Sequence, residues 1–243
     1  MDWSKAKNII LIGLIFTNIF LLSQYAMQYR NLMQGSEAIS DYTINILSKN
    51  NITIDSDIPM EIAKMFPLTV SYSDLSEAEG QNLIAAAEVV KPDDRNKAGY
   101  RKAANKLLEN NGWMNDNTKV ERVTESDEQF TVEYGNYYAG IPLEESKMTL
   151  TYESGRLIDI KRHWLLVAEE GERKIDVMSP LSALLGLMSS VDTNQKTIVK
   201  DIKLVYYVMP YNSDMGILYD TAFPAWAIQY NGDQIKYIST IEQ

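Results

Sequence analysis

The chain contains no cysteine and a single histidine in 243 residues. Without cysteine it forms no disulfide and offers no thiolate to a metal; with one histidine it lacks the several Cys or His ligands that a zinc site takes. In an exported protein, this composition fits a bacterium that makes few disulfides. A Ser-His-Asp arrangement would have to use His163 as its base. No G-x-S-x-G accompanies it in "IKRHWLL", where it alternates along a strand beside Lys161 and Arg162, so it reads as a histidine on a sheet surface. Phosphate-cradling glycines are also missing: Gly135 and Gly140 stand alone and no G-K-[ST] occurs. The stretches "DSD" (55–57) and "NDN" (115–117) lack the glycine and distal glutamate of a calcium loop. Positive charge is scarce as well, with 23 Lys+Arg against 33 Asp+Glu and a net charge of −10, which excludes nucleic-acid binding through clustered basic residues. The sequence therefore implies no catalytic residue, no cofactor, no metal and no small-molecule substrate.

Carboxylates are plentiful, as Asp93-Asp94, Glu144-Glu145 and Glu169-Glu170 with Glu172. A glycosidase needs two carboxyl groups in one cleft, about 5–9.5 Å apart. Neighbours on a strand point to opposite faces, and each pair lies beside Gly, Pro or polar residues, as in a solvated loop.

One further absence is local. Residues 8–27 contain no Asp, Glu, Lys or Arg. At about 1.5 Å per residue, a helix over this run spans the ~30 Å hydrocarbon core of a bilayer. The run exceeds a typical signal-peptide core and has bulky Gln24 where a cleavage site needs a small residue, so it reads as an uncleaved anchor. Lys5 and Lys7 precede it, with only Arg30 just after, which places the N-terminus in the cytoplasm and the body outside. Trp3 and Tyr25 sit where interfacial aromatics anchor a helix. Asn18, near the middle of the run, is a candidate contact to another membrane helix.

The rest of the chain is a mixture of helical and alternating patterns. A linker over 28–36 leads to a short amphipathic helix from about Glu37, with Ile39, Tyr42, Ile46 and Leu47 on its stripe. Ile52 and Ile54, then Leu68, Val70 and Tyr72, alternate as short strands. Ser76 with Glu79 forms a capping box for a helix running towards Pro92. A second helix carries Tyr100, Ala103, Ala104, Leu107 and Leu108 on one stripe, with Gly112 beyond its end. After residue 117 the pattern turns to strands: "QFTVEY", "KMTLTY", and "LIDIKRHWLLV" as one strand. Ser179-Pro180 opens a helix with Leu181, Leu184, Leu185 and Met188 on its stripe. "IKLVYYVMP" and a hairpin turning at Asn231-Gly232 close the chain. The expected class is α+β, with antiparallel sheets each packed on helices. The expected organisation is a tail over 1–7, an anchor over 8–27, the linker over 28–36, a mixed subdomain over 37–117 and a sheet-plus-helix subdomain over 118–243.

Fifteen tyrosines against five phenylalanines make phenols the main aromatic resource. Tyr137, Tyr207 and Trp226 are candidate interface aromatics, with sheet packing and glycan stacking as the other roles open to them.

The opening "MDWSKAKNIILI…LIFTNIFLL", the internal "ILSKNNITIDSDIP" and "LTVSY", and the closing "LVYYVMPYN…AFPAWAIQYNGDQIKYIST" resemble the YycI (WalI) family of Gram-positive bacteria. The closing hairpin also resembles PepSY-type modules. The resemblance implies a single-span membrane protein with an extracytoplasmic α+β body and no catalytic residues. It implies action on the sensor histidine kinase of the YycG/YycF (WalK/WalR) system, which controls cell-wall metabolism, together with a YycH-like sister protein. A tethered PepSY-like peptidase inhibitor and a cell-wall glycan-binding protein are the competing readings.

Overall fold

The computed structural model describes residues 41–59, 64–127, 129–208 and 220–239, with eight helical residues of the N-terminal run (14, 15, 17, 18, 20–22 and 24). The first element of the body is helix α1, described over residues 41–49. It buries Thr43 and Leu47, one turn apart, and leaves Tyr42 exposed, so the stripe expected to include Tyr42 is rotated toward Thr43. Strands β1 (Ile52–Ile54), β2 (Lys64–Met65) and β3 (Leu68–Tyr72) follow.

Helix α2 (Glu77–Ala86) begins at the expected capping box: the Glu79 N–H donates to Ser76 Oγ, and the Ser76 N–H donates to Glu79 Oε2 at 3.0 Å. It ends earlier than the sequence pattern implies. Ala87 is already extended, and the Val90 N–H donates to the Gly155 carbonyl at 2.7 Å. That bond is unavailable to a helical residue, and the β-branched pair Val89-Val90 favours the extended strap that results. Helix α3 (Lys97–Asn110), capped by Asn96, buries Tyr100, Ala104 and Leu108 as its periodicity requires.

The strands that follow are β4 (Thr118–Ser126), β5 (Gln129–Tyr138), β6 (Ile141–Glu153), β7 (Arg156–His163), β8 (Leu165–Glu170) and β9 (Ile175–Asp176). Helix α4 (Pro180–Met188) precedes β10 (Thr197–Val208), β11 (Asp220–Tyr230) and β12 (Gln234–Ser239). Three hairpins turn through pairs with positive φ at both residues, as type I′ turns demand: Ala139-Gly140, Ser154-Gly155 and the expected Asn231-Gly232. The single strand expected over 157–167 is two. Trp164 interrupts it, its carbonyl accepting from the Ser73 N–H, so β7 pairs with β6 and β8 with β3.

Among the described residues one ten-stranded sheet runs β4-β5-β6-β10-β11-β3-β8, with β7 beside β6, β1 beside β10 and β12 beside β11; β2 and β9 form a separate pair. Pairing is antiparallel except where β10 meets β1 and, at Tyr206↔Leu143, β6. The fold is therefore α+β with a mainly antiparallel sheet and few helices. Helices α2 and α3 cover β4–β7 through a core of Tyr100, Leu108, Val132, Tyr134, Leu150 and Trp164. Helices α1 and α4 cover β10–β12 through Leu47, Leu184, Leu187, Ile202, Trp226 and Ile228. Both sheet and cores thus cross the boundary expected at residue 117. On α4 the buried residues are Pro180, Ala183, Leu184 and Leu187; Leu181 and Leu185 are only partly covered.

Candidate functional site

The strands β10, β11 and β12 have two unlike faces. Alternation sends Ile202, Trp226 and Ile228 toward α4 and α1, and Lys203, Val205, Tyr207, Ala225, Ala227 and Tyr237 to the other side. On that other side no helix among the described residues supplies the cover. The small residues Val205, Ala225 and Ala227 are buried beneath Tyr207 and Tyr237, whose rings stack 4.1 Å apart at 12°. Stacking of this kind adds ~0.5–1.5 kcal/mol beyond area burial, and both rings keep an exposed edge.

Glu144 anchors this face. It is not in a solvated loop, as its surroundings in sequence suggest, but within β6, with a side chain only 4% exposed. Its carboxylate accepts from the Tyr237 hydroxyl at 3.2 Å and pairs with Lys203 at 3.2 Å and Lys147 at 3.9 Å. Glu145, in the unpaired stretch of β6 between Leu143 and Lys147, is exposed, and its charge reaches the phenols of Tyr207 and Tyr237. Burial raises the Glu145 carboxyl above the usual glutamate range; His163 nearby opposes this, and Asp220 and Glu144 add to it.

Beside it, Tyr72 donates to Asp220 at 3.2 Å and its ring lies 5.4 Å from that of His163. Burial, then the Asp220 charge, push the Tyr72 phenol up to about 12. Burial first, then the neighbouring carboxylates, also raise Tyr207 and Tyr237. These phenols stay protonated at neutral pH, and those of Tyr72 and Tyr237 donate to Asp220 and Glu144. His163 Nδ1 lies 2.7 Å from Asp74 on the surface, and among the described residues no serine hydroxyl is bonded to it.

Beneath the junction of β6 with β7 and β8 lies a closed polar network. Asn136 donates to Ser146 Oγ at 3.0 Å and to the Leu165 carbonyl at 2.7 Å, and the Leu165 N–H returns a bond to Ser146 at 2.8 Å. It sits at the irregularity after Gly135 where β6 leaves β7 and passes to β10, and so fixes where the phenol-bearing strands diverge.

The candidates from the sequence divide accordingly. Tyr207 lies on the tyrosine face. Tyr137 is half-buried on β5, donating to Glu121 at 3.3 Å with Lys119 over its ring at 4.4 Å. Trp226 is 1% exposed and its indole N–H donates to the Met178 carbonyl at 2.8 Å. It is a core residue, because its strand parity faces α4. Asn18 is exposed and donates to the Leu14 carbonyl of its own helix at 3.0 Å, which uses one of its two N–H groups. Trp3, Lys5, Lys7 and Tyr25 lie outside the described residues. Sequence reasoning did not single out Glu144, Lys203 or Tyr237 as a unit. The only available signal was the alternation that puts Lys203, Tyr207 and Tyr237 on one parity. Among the described residues no group of three or more His, Cys, Asp or Glu is placed to hold a metal ion.

Fold and face together define a class: an α+β body whose exposed chemistry is phenol rings and paired carboxylates presented on a sheet, a surface suited to contact. More particularly, the chain belongs to the YycI family, described as YycI protein, whose match covers residues 33–241 and so rests on this body. It is a regulatory family associated with the YycG/WalK two-component system. A search of curated proteins finds no match. Among solved structures, an uncharacterized protein from Eubacterium rectale ATCC 33656 is similar in shape, with a TM-score of 0.49 and 11% identity over 78% of this chain and 87% of that one. That likeness carries no functional information for this chain.

Proposed function

We propose that the chain is a membrane-anchored extracytoplasmic regulator of a YycG/WalK-type sensor histidine kinase, acting by contact together with a YycH-like sister protein. The family match over residues 33–241 carries this reading. The anchor is a helix over 8–27 with its N-terminus in the cytoplasm. Its eight described residues are helical, and Leu14, Ile15, Phe20, Leu21 and Leu22 are all exposed, as lipid-facing side chains must be. Among the described residues alone, no helix is long and apolar enough to cross a membrane. The α4–β10–β11–β12 unit, a helix laid on antiparallel strands, is read as PepSY-like. Tyr207, Tyr237 and Tyr72 form the contact surface of the body, and Asn18 contributes within the bilayer. A differential affinity of ~1–3 kcal/mol for the two kinase states changes activity about 5–150-fold.

The test is crosslinking in intact membranes followed by affinity recovery of the full chain. Recovery of a sensor kinase and a YycH-like protein, reduced by Tyr207→Ser, is the expected result. Absence of both in intact membranes overturns the proposal.

A further inference from the structure

Away from the tyrosine face, the strap that follows α2 encloses a cavity of about 330 Å³ against α3. That lies at the lower end of the ~300–1,000 Å³ typical of ligand sites. The cavity exists because α2 stops at Ala86 and the strap is held off α3 by the Val90–Gly155 hydrogen bond. Ala87, Val90, Ala103, Leu107 and Tyr152 give it an apolar wall.

Tyr152 is 1% exposed. Burial raises its phenol, so it remains a neutral donor. The mouth carries Lys91, Lys102 and Lys106, all exposed, against Glu88 and Asp94. This local cationic excess stands out in a chain of net charge −10. Lys106 already grips one carboxylate: its ammonium donates to both oxygens of Glu88, at 2.6 and 2.7 Å, across the gap between strap and helix.

We propose that this cavity binds a free single-chain fatty acid, with its tail among Ala87, Val90, Ala103 and Leu107, its carboxylate on Lys102 and Lys106 in place of Glu88, and the Tyr152 hydroxyl as a further donor. An apolar interior with a lysine mouth matches one anionic group on one chain. This goes beyond the regulatory reading and does not depend on it.

The probe is decanoate carrying a diazirine, applied to the full chain in nanodiscs of zwitterionic phosphatidylcholine with no kinase present. Labelling is expected within residues 86–107 and on the Tyr152 peptide, and unlabelled decanoate should compete where decanol does not. Lys102→Glu combined with Lys106→Glu should reduce labelling about tenfold, the loss expected when charge-assisted hydrogen bonds to the carboxylate are reversed in sign. Both lysines are exposed, so the variant retains its fold, and its melting curve checks this. Tyr152→Phe should weaken competition by a smaller factor. Labelling elsewhere, equal competition by decanol, or labelling indifferent to the double variant overturns the proposal. Loss of labelling in phosphatidylglycerol nanodiscs assigns the cavity to a membrane lipid and also overturns it.

Discussion

The two faces of β10–β12 share strands, hydrogen bonds and register, yet differ in what covers them. On one, Trp226, Ile202 and Ile228 lie under α4 and α1. On the other, Val205, Ala225 and Ala227 are sealed by two stacked tyrosines and the buried Glu144. The first face buries large apolar side chains whose role is to hold the fold. The second uses small residues beneath rings that keep an exposed edge and a donor, so it stays dry inside and remains adhesive outside. Tyrosine in place of phenylalanine makes this possible, because the Tyr237 phenol satisfies the buried Glu144 carboxylate and still presents a ring.

This contrast is breakable. Trp226→Ala should cost about 3–5 kcal/mol, as expected for a large aromatic removed from a packed core. Urea denaturation would measure it, and any loss of partner binding should track the unfolded fraction. Glu144→Gln on the opposite face should cost less, about 1.5–3 kcal/mol, since the hydrogen bond from Tyr237 loses a charged acceptor while Lys203 and Lys147 remain half-exposed. An Asp or Glu supplied by a partner would not repair the first variant.

The pH dependence sharpens the comparison. A phenol raised on folding holds its proton after the unfolded chain has lost its own, so the folded state binds more protons and stability falls as pH rises. For Tyr72 the window opens near the ordinary tyrosine value of ~10 and closes at about 12. Tyr207 and Tyr237 add to it in the same direction. The melting temperature should therefore be flat near neutrality with respect to these groups and fall above pH ~10, and combined Tyr72→Phe and Tyr237→Phe should flatten that fall. The smallest effect is local and lies on neither face: Ser76→Ala should cost ~1 kcal/mol through loss of the capping box.

Much of this architecture was legible in the sequence where the cause is short-range. The Ser76/Glu79 box, the Ser179-Pro180 helix start, the Asn231-Gly232 turn and the alternation of Phe130, Val132 and Tyr134 are each fixed by neighbours a few residues away. What escaped depends on distant partners. The break at Trp164 exists because Ser73 takes its carbonyl, and the early end of α2 because Gly155 takes the Val90 N–H. Alternation told which side chains share a face, not which face α4 would cover, so Trp226 and Tyr207 looked alike. Glu144 looked solvated because its lysines and Tyr237 are remote in sequence or across a strand bulge.

The parallel pairing of β1 with β10 has a consequence for biogenesis. Ile52 aligns with Thr197 and Ile54 with Val199, and Leu47 packs among Leu184, Trp226 and Ile228. Such long-separation contacts slow folding, since a large loop must close before they form. The first elements of the body, α1 and β1, therefore lack their sheet partner until the third-last strand emerges. A chain truncated before Thr197 should stay open around α1 and β1, vulnerable to proteases at the very place where a completed chain is tied down by its last strands.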